Sequence, residues 1–519
     1  MVVRSLLSAE STTVLVNRLN RISLHVNRRA VIYLALFSVG YFALAGRQAL
    51  IRPLWHDELY TRYLLHAPTA RDLWAALANG VDLMPPLYHL IVRVLTSVLG
   101  DGPLVLRLPS MVGFWVMCLC LYRYVSLRLP AEFGFAAMLI PFCTSASTFM
   151  AEARPYGLVL GLGGVALVSW QALDGRTRIR AFWLACLAFA LTAAISAHYY
   201  AVFLILPLAA GEIVRSATHR AVRWIVWACL LAPLTVLLAL WPLIHNAREF
   251  APTFWAQAKL GKLFSVYNAW LGHSDWVFFG LLAATALVFW LKGPAEPADA
   301  LTPPAIDVVP PVVLLAVPAV GAIVAVVTGS GFAPRYVLPA VMGFAILASY
   351  VLARLFGPSP ALRLLVVGAL LLNAETLFRS RGVMMAGPGL LSSEIQNTLL
   401  RLEDQTAPVL IASPNRFLEV AYYAPSDLAR RIRYLANRER AIHYTGTDTP
   451  DRSLTLLAQV APIPVGRCPE DLPDTPMYYV VDVPPFNWLA HELLRQKAEL
   501  TLITAGEFAI YRVQNRRGG

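Results

Sequence analysis

Long apolar runs recur along the first 378 residues and stop after residue 379. They lie near 30–45, 104–125, 133–149, 156–173, 181–196, 199–214, 222–243, 275–292, 309–328, 336–353 and 361–378. Each reads as one membrane crossing, eleven in all, several near the short end of the roughly 20 residues a spanning helix needs. The fold class this predicts is a polytopic all-α membrane domain followed by a C-terminal α/β soluble domain over 379–519. The first 29 residues are polar to amphipathic and carry Arg4, Arg18, Arg21, Arg28 and Arg29. That basic region is too long for a cleaved secretory signal and reads as a cytoplasmic arm before a signal anchor.

One shorter run decides the topology. Leu87–Leu99 reads LYHLIVRVLTSVL and contains Arg93. Thirteen helical residues reach about 20 Å, short of the roughly 30 Å hydrocarbon core. If this run lies flat, Arg123 and Arg128, Arg176, Arg178 and Arg180, Arg215, Arg220 and Arg223, and Arg354 and Arg363 all fall on the side of the arm. If it crosses, all those short basic loops face outward, against the positive-inside rule. The run is therefore expected to be an amphipathic interfacial helix. The outer face then receives the loop 46–103, the turn Glu152–Tyr156, the loop 245–274, the tip Ser330–Tyr336 and the whole tail. Trp255, Trp270 and Trp276 are expected at interface depth.

In the tail, 408–413, 477–483 and the pair 500–505 and 507–513, turned at Ala505–Gly506, read as strands, the pair as a hairpin. The stretches 419–424 and 493–500 read as helical. A partner-binding or acceptor-guiding role is expected for this domain, with plain stabilisation of the assembly as the alternative. Proline-rich 294–311 reads as a cytoplasmic linker.

Composition excludes whole classes. The chain has 519 residues, of which 58% are hydrophobic and only 14% charged. A soluble domain carries about a quarter charged residues, so a cytosolic enzyme and a disordered chain are both excluded. The net charge of +12 fits loop anchors and anionic headgroups; nucleic acid is not expected as a partner. The six cysteines form neither a disulfide framework nor a zinc site.

The informative charges are those held at the membrane edge. Asp57 and Glu58 follow His56 just outside the first crossing. Neighbours on a helix point about 100° apart, so one carboxylate suffices to face a pocket, where desolvation makes it a better proton acceptor. A solvated turn or an N-cap is the plainer reading. Pro85 and Pro86 before Tyr88 stiffen the entry to the flat helix. Arg154 offers a planar fork suited to phosphate, with Glu152 orienting it or meeting a metal; an internal ion pair is the alternative. Arg335 and Tyr336 stand at another outer edge, Arg107 near a helix end where arginines also snorkel, and His198 at the tip between two crossings. Asp57, Glu58, Glu152, Arg154, His198 and Arg335 reach the same face, with Arg107 near it. Carboxylates with several guanidinium groups at headgroup level suit a lipid phosphate carrying a group to be transferred.

The pieces WHDE at 55–58, PPLY at 85–88, LRLPS at 106–110, EARPY at 152–156, HYYA at 198–201 and RYVLP at 335–339 together resemble the GT-C class of polytopic glycosyltransferases. The branch resembled contains protein O-mannosyltransferases, aminoarabinose lipid A transferases and rhizobial galacturonosyltransferases. The resemblance spans roughly 30–350. The family's histidine before PPLY is Met84 here, and the acidic-lysine loop motif of the aminoarabinose subgroup is missing, which argues against that substrate. The resemblance implies a bacterial inner-membrane enzyme whose donor is a sugar on a polyprenyl phosphate and whose acceptor is an envelope glycan, lipid or protein. Asp57 would deprotonate the acceptor hydroxyl for a single inverting displacement. Arg107, Arg154 and Arg335 would hold the phosphate. His56, Glu58, Pro86, Tyr88, Glu152, Tyr156, His198 and Tyr336 would line the substrate pocket. Some relatives use a divalent metal; Mg²⁺ or Mn²⁺ on Asp57 and Glu152 would be the form here. A lipid-linked sugar flippase and a non-catalytic assembly subunit are the competing classes.

Overall fold

The computed structural model describes residues 9–175, 178–272, 301, 303–357, 359–385, 387–485 and 487–514. Among these, six helices are long and apolar enough to cross a membrane: Ala30–Ile51, Pro103–Ser126, Arg180–Ala197, Tyr199–His219, Ala305–Thr328 and Pro360–Leu377. Two helix pairs are long and apolar enough only when taken together, Ala131–Cys143 with Ser145–Ala151 bent by 84° and Trp224–Ala239 with Trp241–Thr253 bent by 67°, each the shape of a broken span or a re-entrant loop. Tyr156–Ala172 and Ala340–Phe356 are shorter apolar helices. The expected run 275–292, with Trp276, lies outside the described residues. The protein is a multi-pass, mostly helical membrane protein with a small C-terminal sheet.

Leu87–Leu99 forms a 13-residue helix, and Arg93 on it bonds the carbonyls of Ala67 and Pro68 in the preceding loop. The N-terminal segment is a helix, Ala9–Arg28, docked by polar contacts: Ser23 and Asn27 both donate to the buried Glu132.

Two helices that carry site residues approach very closely. A Cβ placed on Gly113, Gly157 or Gly161 would collide with backbone of the facing helix. Small residues four apart allow this contact in membranes, and it sets the 106–110 motif against the 152–156 turn.

The proline-rich segment is partly misread as a linker. Residues 305–311 are the start of the helix Ala305–Thr328, which contains Pro310, Pro311 and Pro318. A proline cannot donate to the carbonyl four residues back, so Pro311 orphans the carbonyl of Asp307. The hydroxyls of Tyr124 (3.1 Å) and Tyr350 (3.4 Å) take that carbonyl instead. Such substitute donors are what let prolines persist in membrane helices. Trp270 is 2% exposed and packs edge-on to Phe344 inside the bundle.

The C-terminal part is a six-stranded sheet: β1 Val409–Ile411, β2 Ile432–Ala436, β3 Val465–Arg467, β4 Met477–Asp482, β5 Glu499–Thr504 and β6 Ala509–Gln514, in the order β3-β2-β1-β4-β6-β5. β3, β2, β1 and β4 run parallel, and the β5–β6 hairpin adds on antiparallel. The short strands β2 and β3 escape the sequence reading because arginines flank or occupy them. The helix expected over 493–500 is instead the end of Trp488–Arg495, closed by Lys497 at φ 58°, followed directly by β5. The helix Pro414–Tyr423 covers 419–423 of the expected 419–424, Ala424 being extended.

One apolar core runs without interruption from the first loop into this sheet. Leu59, Leu64, Leu73, Leu77 and Tyr88 share it with Phe417, Leu418, Ile432, Leu454 and Val481. The C-terminal part is thereby fixed directly over the loop that carries Asp57.

Replacing both Tyr124 and Tyr350 by Phe leaves the Asp307 carbonyl without a side-chain donor. Thermal unfolding of purified protein, followed by tryptophan fluorescence, is expected to show a loss of about 1–3 kcal/mol, with each single variant losing less.

Candidate active site

The site is built around a buried ion pair. Arg107 and Glu58 are both fully buried, and they meet through two parallel bonds, Nε to Oε1 at 2.7 Å and Nη2 to Oε2 at 2.6 Å. Arg107 also donates to the carbonyls of Ala49 (2.6 Å), Arg52 (2.8 Å) and Pro53 (3.0 Å). Glu58 in turn accepts from the backbone of Ala153 at 2.7 Å and from Arg52 at 3.1 Å. This clamp joins the end of the first span, the helix His56–Leu64, the helix Pro103–Ser126 and the 152–156 turn.

With Glu58 turned inward, Asp57 must face the other way. It lines a cavity of about 280 Å³ together with Trp55, His56, Tyr60, Asp82, Arg154, Trp255, Arg335 and Tyr336. The C-terminal part closes the far wall with Asn415, Thr449 and Ser453. One side of the cavity is therefore charged, and the other neutral and polar.

Arg335 Nη2 lies 3.0 Å from Asp57 Oδ2, and His56 Nε2 lies 3.2 Å from Asp57 Oδ1. The Arg335 guanidinium also sits 5.3 Å from the Trp255 ring centre. Arg154 is engaged elsewhere, with both terminal nitrogens on Asp82 (2.6 and 3.1 Å) and Nη1 3.3 Å from the Asp57 carbonyl. His89 Nε2 stands 3.3 Å from the same Asp82.

Burial works to raise the proton affinity of Asp57, but Arg335, His56 and Arg154 outweigh it and hold the carboxyl well below the usual range. Asp82 behaves alike, burial being outweighed by Arg154 and His89. Glu152 goes the other way. It is 4% exposed, and burial, with Glu58 and Asp57 adding to it against Arg52 and Arg335, pushes it up to about 7. His198 is lowered to about 3 by burial and by Arg154 and Arg335, so it is neutral at pH 7.

Five of the expected residues share the cavity: His56, Asp57, Arg154, Arg335 and Tyr336. The remainder stand behind it. Arg107 and Glu58 form the clamp and do not reach the cavity, because every terminal nitrogen of Arg107 is taken by carbonyls or by Glu58. The buried Tyr88 donates to the Leu106 carbonyl at 2.9 Å, and Pro86 caps the helix Leu87–Leu99. Tyr156 and His198 pack with their rings tilted by 50°, ring centres 5.7 Å apart, with His198 5.1 Å from Tyr336; they back the cavity wall. Glu152 is buried beneath it. Asp82, Tyr60, Trp255, Asn415, Thr449 and Ser453 were not expected. Asp82 stands two residues before Met84 with no pattern to mark it.

Among the described residues no three His, Cys, Asp or Glu side chains converge to hold a metal ion, and the Asp57 carboxylate already meets Arg335 and His56.

No family model matches the chain, and no curated protein matches it in sequence. Solved structures do match. ArnT from Cupriavidus metallidurans, both bound to undecaprenyl phosphate and in the apo state, superimposes with a TM-score of 0.55 over 93% of this chain and 98% of its own, at 13% identity.

Two predictions follow from the electrostatics. Removing one partner of the clamp, by Glu58→Leu or Arg107→Met, is expected to cost about 3–5 kcal/mol, and the double variant less than either single one, read as thermal unfolding of purified protein. The folded chain holds the Glu152 proton up to about 7, whereas an unfolded glutamate releases it near about 4.3. Stability therefore falls as pH rises between those values. Glu152→Gln is expected to unfold like the parent at pH 4 and at a higher temperature than the parent at pH 8.

Over nearly its whole length the chain therefore has the fold seen in ArnT from Cupriavidus metallidurans.

Proposed function

We propose that the protein is a membrane glycosyltransferase that moves a sugar from a polyprenyl-phosphate carrier to a hydroxyl of an envelope glycan, lipid or protein. The observation that carries this is the Asp57–Arg335 pair at 3.0 Å inside one cavity, in a fold whose neighbour ArnT binds undecaprenyl phosphate. Arg335 is the cation best able to change partners, since Arg154 is held bidentate by Asp82. When the donor phosphate takes Arg335, Asp57 loses its foremost counter-charge and its proton affinity rises. Asp57 then accepts the proton of the acceptor hydroxyl as that oxygen bonds to sugar C1. The C1–O bond to phosphate breaks, its electron pair stays on the phosphate oxygen, and the configuration at C1 inverts. Arg335 stabilises the growing negative charge. The aromatic rings of Trp55, Tyr60 and Trp255 and the neutral groups Asn415, Thr449 and Ser453 suit a hydroxyl-rich sugar or acceptor.

The same reading gives eleven crossings with 275–292 included, and puts the cavity and the domain after 379 on the periplasmic side of the bacterial inner membrane. Loop charge supports it, since the short arginine-rich loops then share the cytoplasm with the N-terminal arm.

Asp57→Asn is expected to insert and accumulate normally while losing transfer, read as the envelope glycolipid mass that a deletion strain lacks. Arg335→Ala is expected to lower the rate about 10²–10³-fold and to weaken binding of undecaprenyl phosphate. Full transfer by Asp57→Asn would remove Asp57 from the base role. Movement of donor lipid across liposomes without product would replace the enzyme with a transporter.

A further inference from the structure

The helix Pro414–Tyr423 of the C-terminal part lies against the helix His56–Leu64, and it brings a buried carboxylate to the back of His56. Glu419 is 3% exposed. Its Oε1 accepts from the His56 backbone N–H at 3.2 Å and lies 3.6 Å from ring Nδ1. Its Oε2 accepts from Ser392 Oγ at 2.7 Å and from Arg416 Nη1 at 2.7 Å. The opposite ring nitrogen, Nε2, is the one that meets Asp57 at 3.2 Å. A continuous line therefore runs from Ser392 and Arg416 through Glu419 and the His56 imidazole to Asp57.

We infer that Glu419 is a positioning residue for Asp57, acting through the ring of His56, so that the C-terminal domain sets the geometry of the base. The inference rests on Asp57 being the base. The physical argument begins with what holds that carboxylate. Arg335 grips Oδ2 and His56 grips Oδ1, while Arg154 reaches only the Asp57 carbonyl. Once the donor phosphate takes Arg335, His56 is the side chain left to fix the Asp57 rotamer. The imidazole is 22% exposed and would turn about its own bonds unless its far nitrogen were held. Glu419 holds it, and Ser392 and Arg416 hold Glu419. A base misplaced by about 1 Å loses on the order of 10² in rate, so an anchor two residues removed from the chemistry has a measurable effect.

Docking of the domain does not require this contact. The shared apolar core and the bond from the Leu54 N–H to Tyr423 Oη at 2.6 Å already fasten the helix. Glu419→Gln keeps an oxygen for the His56 N–H, removes the charge facing the ring, and gives up the oxygen that Ser392 and Arg416 hold.

The test is a double-mutant cycle in purified protein, with the total lipid extract of a deletion strain as the source of donor and acceptor and product read by mass spectrometry. Glu419→Gln is expected to lower the turnover rate about tenfold and His56→Ala by at least as much. In the His56→Ala background, Glu419→Gln is expected to add no further loss, because its effect passes through the ring. Undecaprenyl phosphate, titrated against tryptophan fluorescence, is expected to bind Glu419→Gln within about twofold of the parent, since Glu419 touches no phosphate ligand. Losses that multiply in the double variant, or lipid affinity that falls together with rate, would overturn the positioning role and leave Glu419 as a docking residue. Asp57→Asn run alongside separates the two levels. If it is inert while the cycle is additive, only the inference fails; if it turns over, the base assignment fails and the inference with it.

Discussion

The site depends on a single buried contact, the two-bond pair between Glu58 and Arg107. A charged pair with no exposure is costly to form and is retained only when its remaining hydrogen-bonding capacity is met. Here it is met by backbone: three carbonyls from the end of the first span and the Ala153 N–H from the 152–156 turn. The pair is thus a four-way joint between segments far apart in sequence. It also decides a local question. Residues 57 and 58 are adjacent on one helix and cannot both point the same way, so holding Glu58 against Arg107 sends Asp57 into the cavity.

The cavity built on this joint is balanced but tense. Asp57 sits among Arg335, His56 and Arg154, and Asp82 neutralises the last of these by a bidentate bond. Arg335 is the cation whose partner is also the proposed base. In the proposed mechanism a donor phosphate competes for that one guanidinium, and the competition would switch Asp57 from a weak base to a stronger one. Donor binding and acceptor activation would then be coupled by a shared partner, with no moving domain required.

Much of the frame was legible in the sequence because hydrocarbon tolerates so few alternatives. Apolar runs gave ten helical segments where they were expected, and charged residues at run edges marked the cavity. Roles were less legible than positions. Arg107 and Arg154 carry the same fork as Arg335, and nothing local says that Glu58 and Asp82 occupy the first two. Asp82 itself is one acid in a loop, and its meaning lies in Arg154, 72 residues away. The proline-rich start of the helix Ala305–Thr328 looks like a linker for the same reason: the hydroxyl that rescues the Asp307 carbonyl comes from Tyr124, 183 residues earlier. Sequence reading finds what a residue can do; which partner it has is a property of packing.

The C-terminal part shows where that limit matters most. By composition it is a separate α/β unit, and nothing in its residues marks chemistry. Its strands nevertheless share an apolar core with the loop 46–103, so its position over that loop is fixed by the burial that stabilises both. A wall fixed in this way can contribute to catalysis at no extra ordering cost, since the residues it presents are already immobile in the unliganded protein. Asn415, Thr449 and Ser453 are carried to the cavity on that wall, and Glu419 to the back of His56. The two parts thus differ in solvent and in architecture but enclose one site. Neither the membrane helices nor the sheet alone would present the Asp57–Arg335 pair and a neutral polar surface to the same few hundred cubic ångströms.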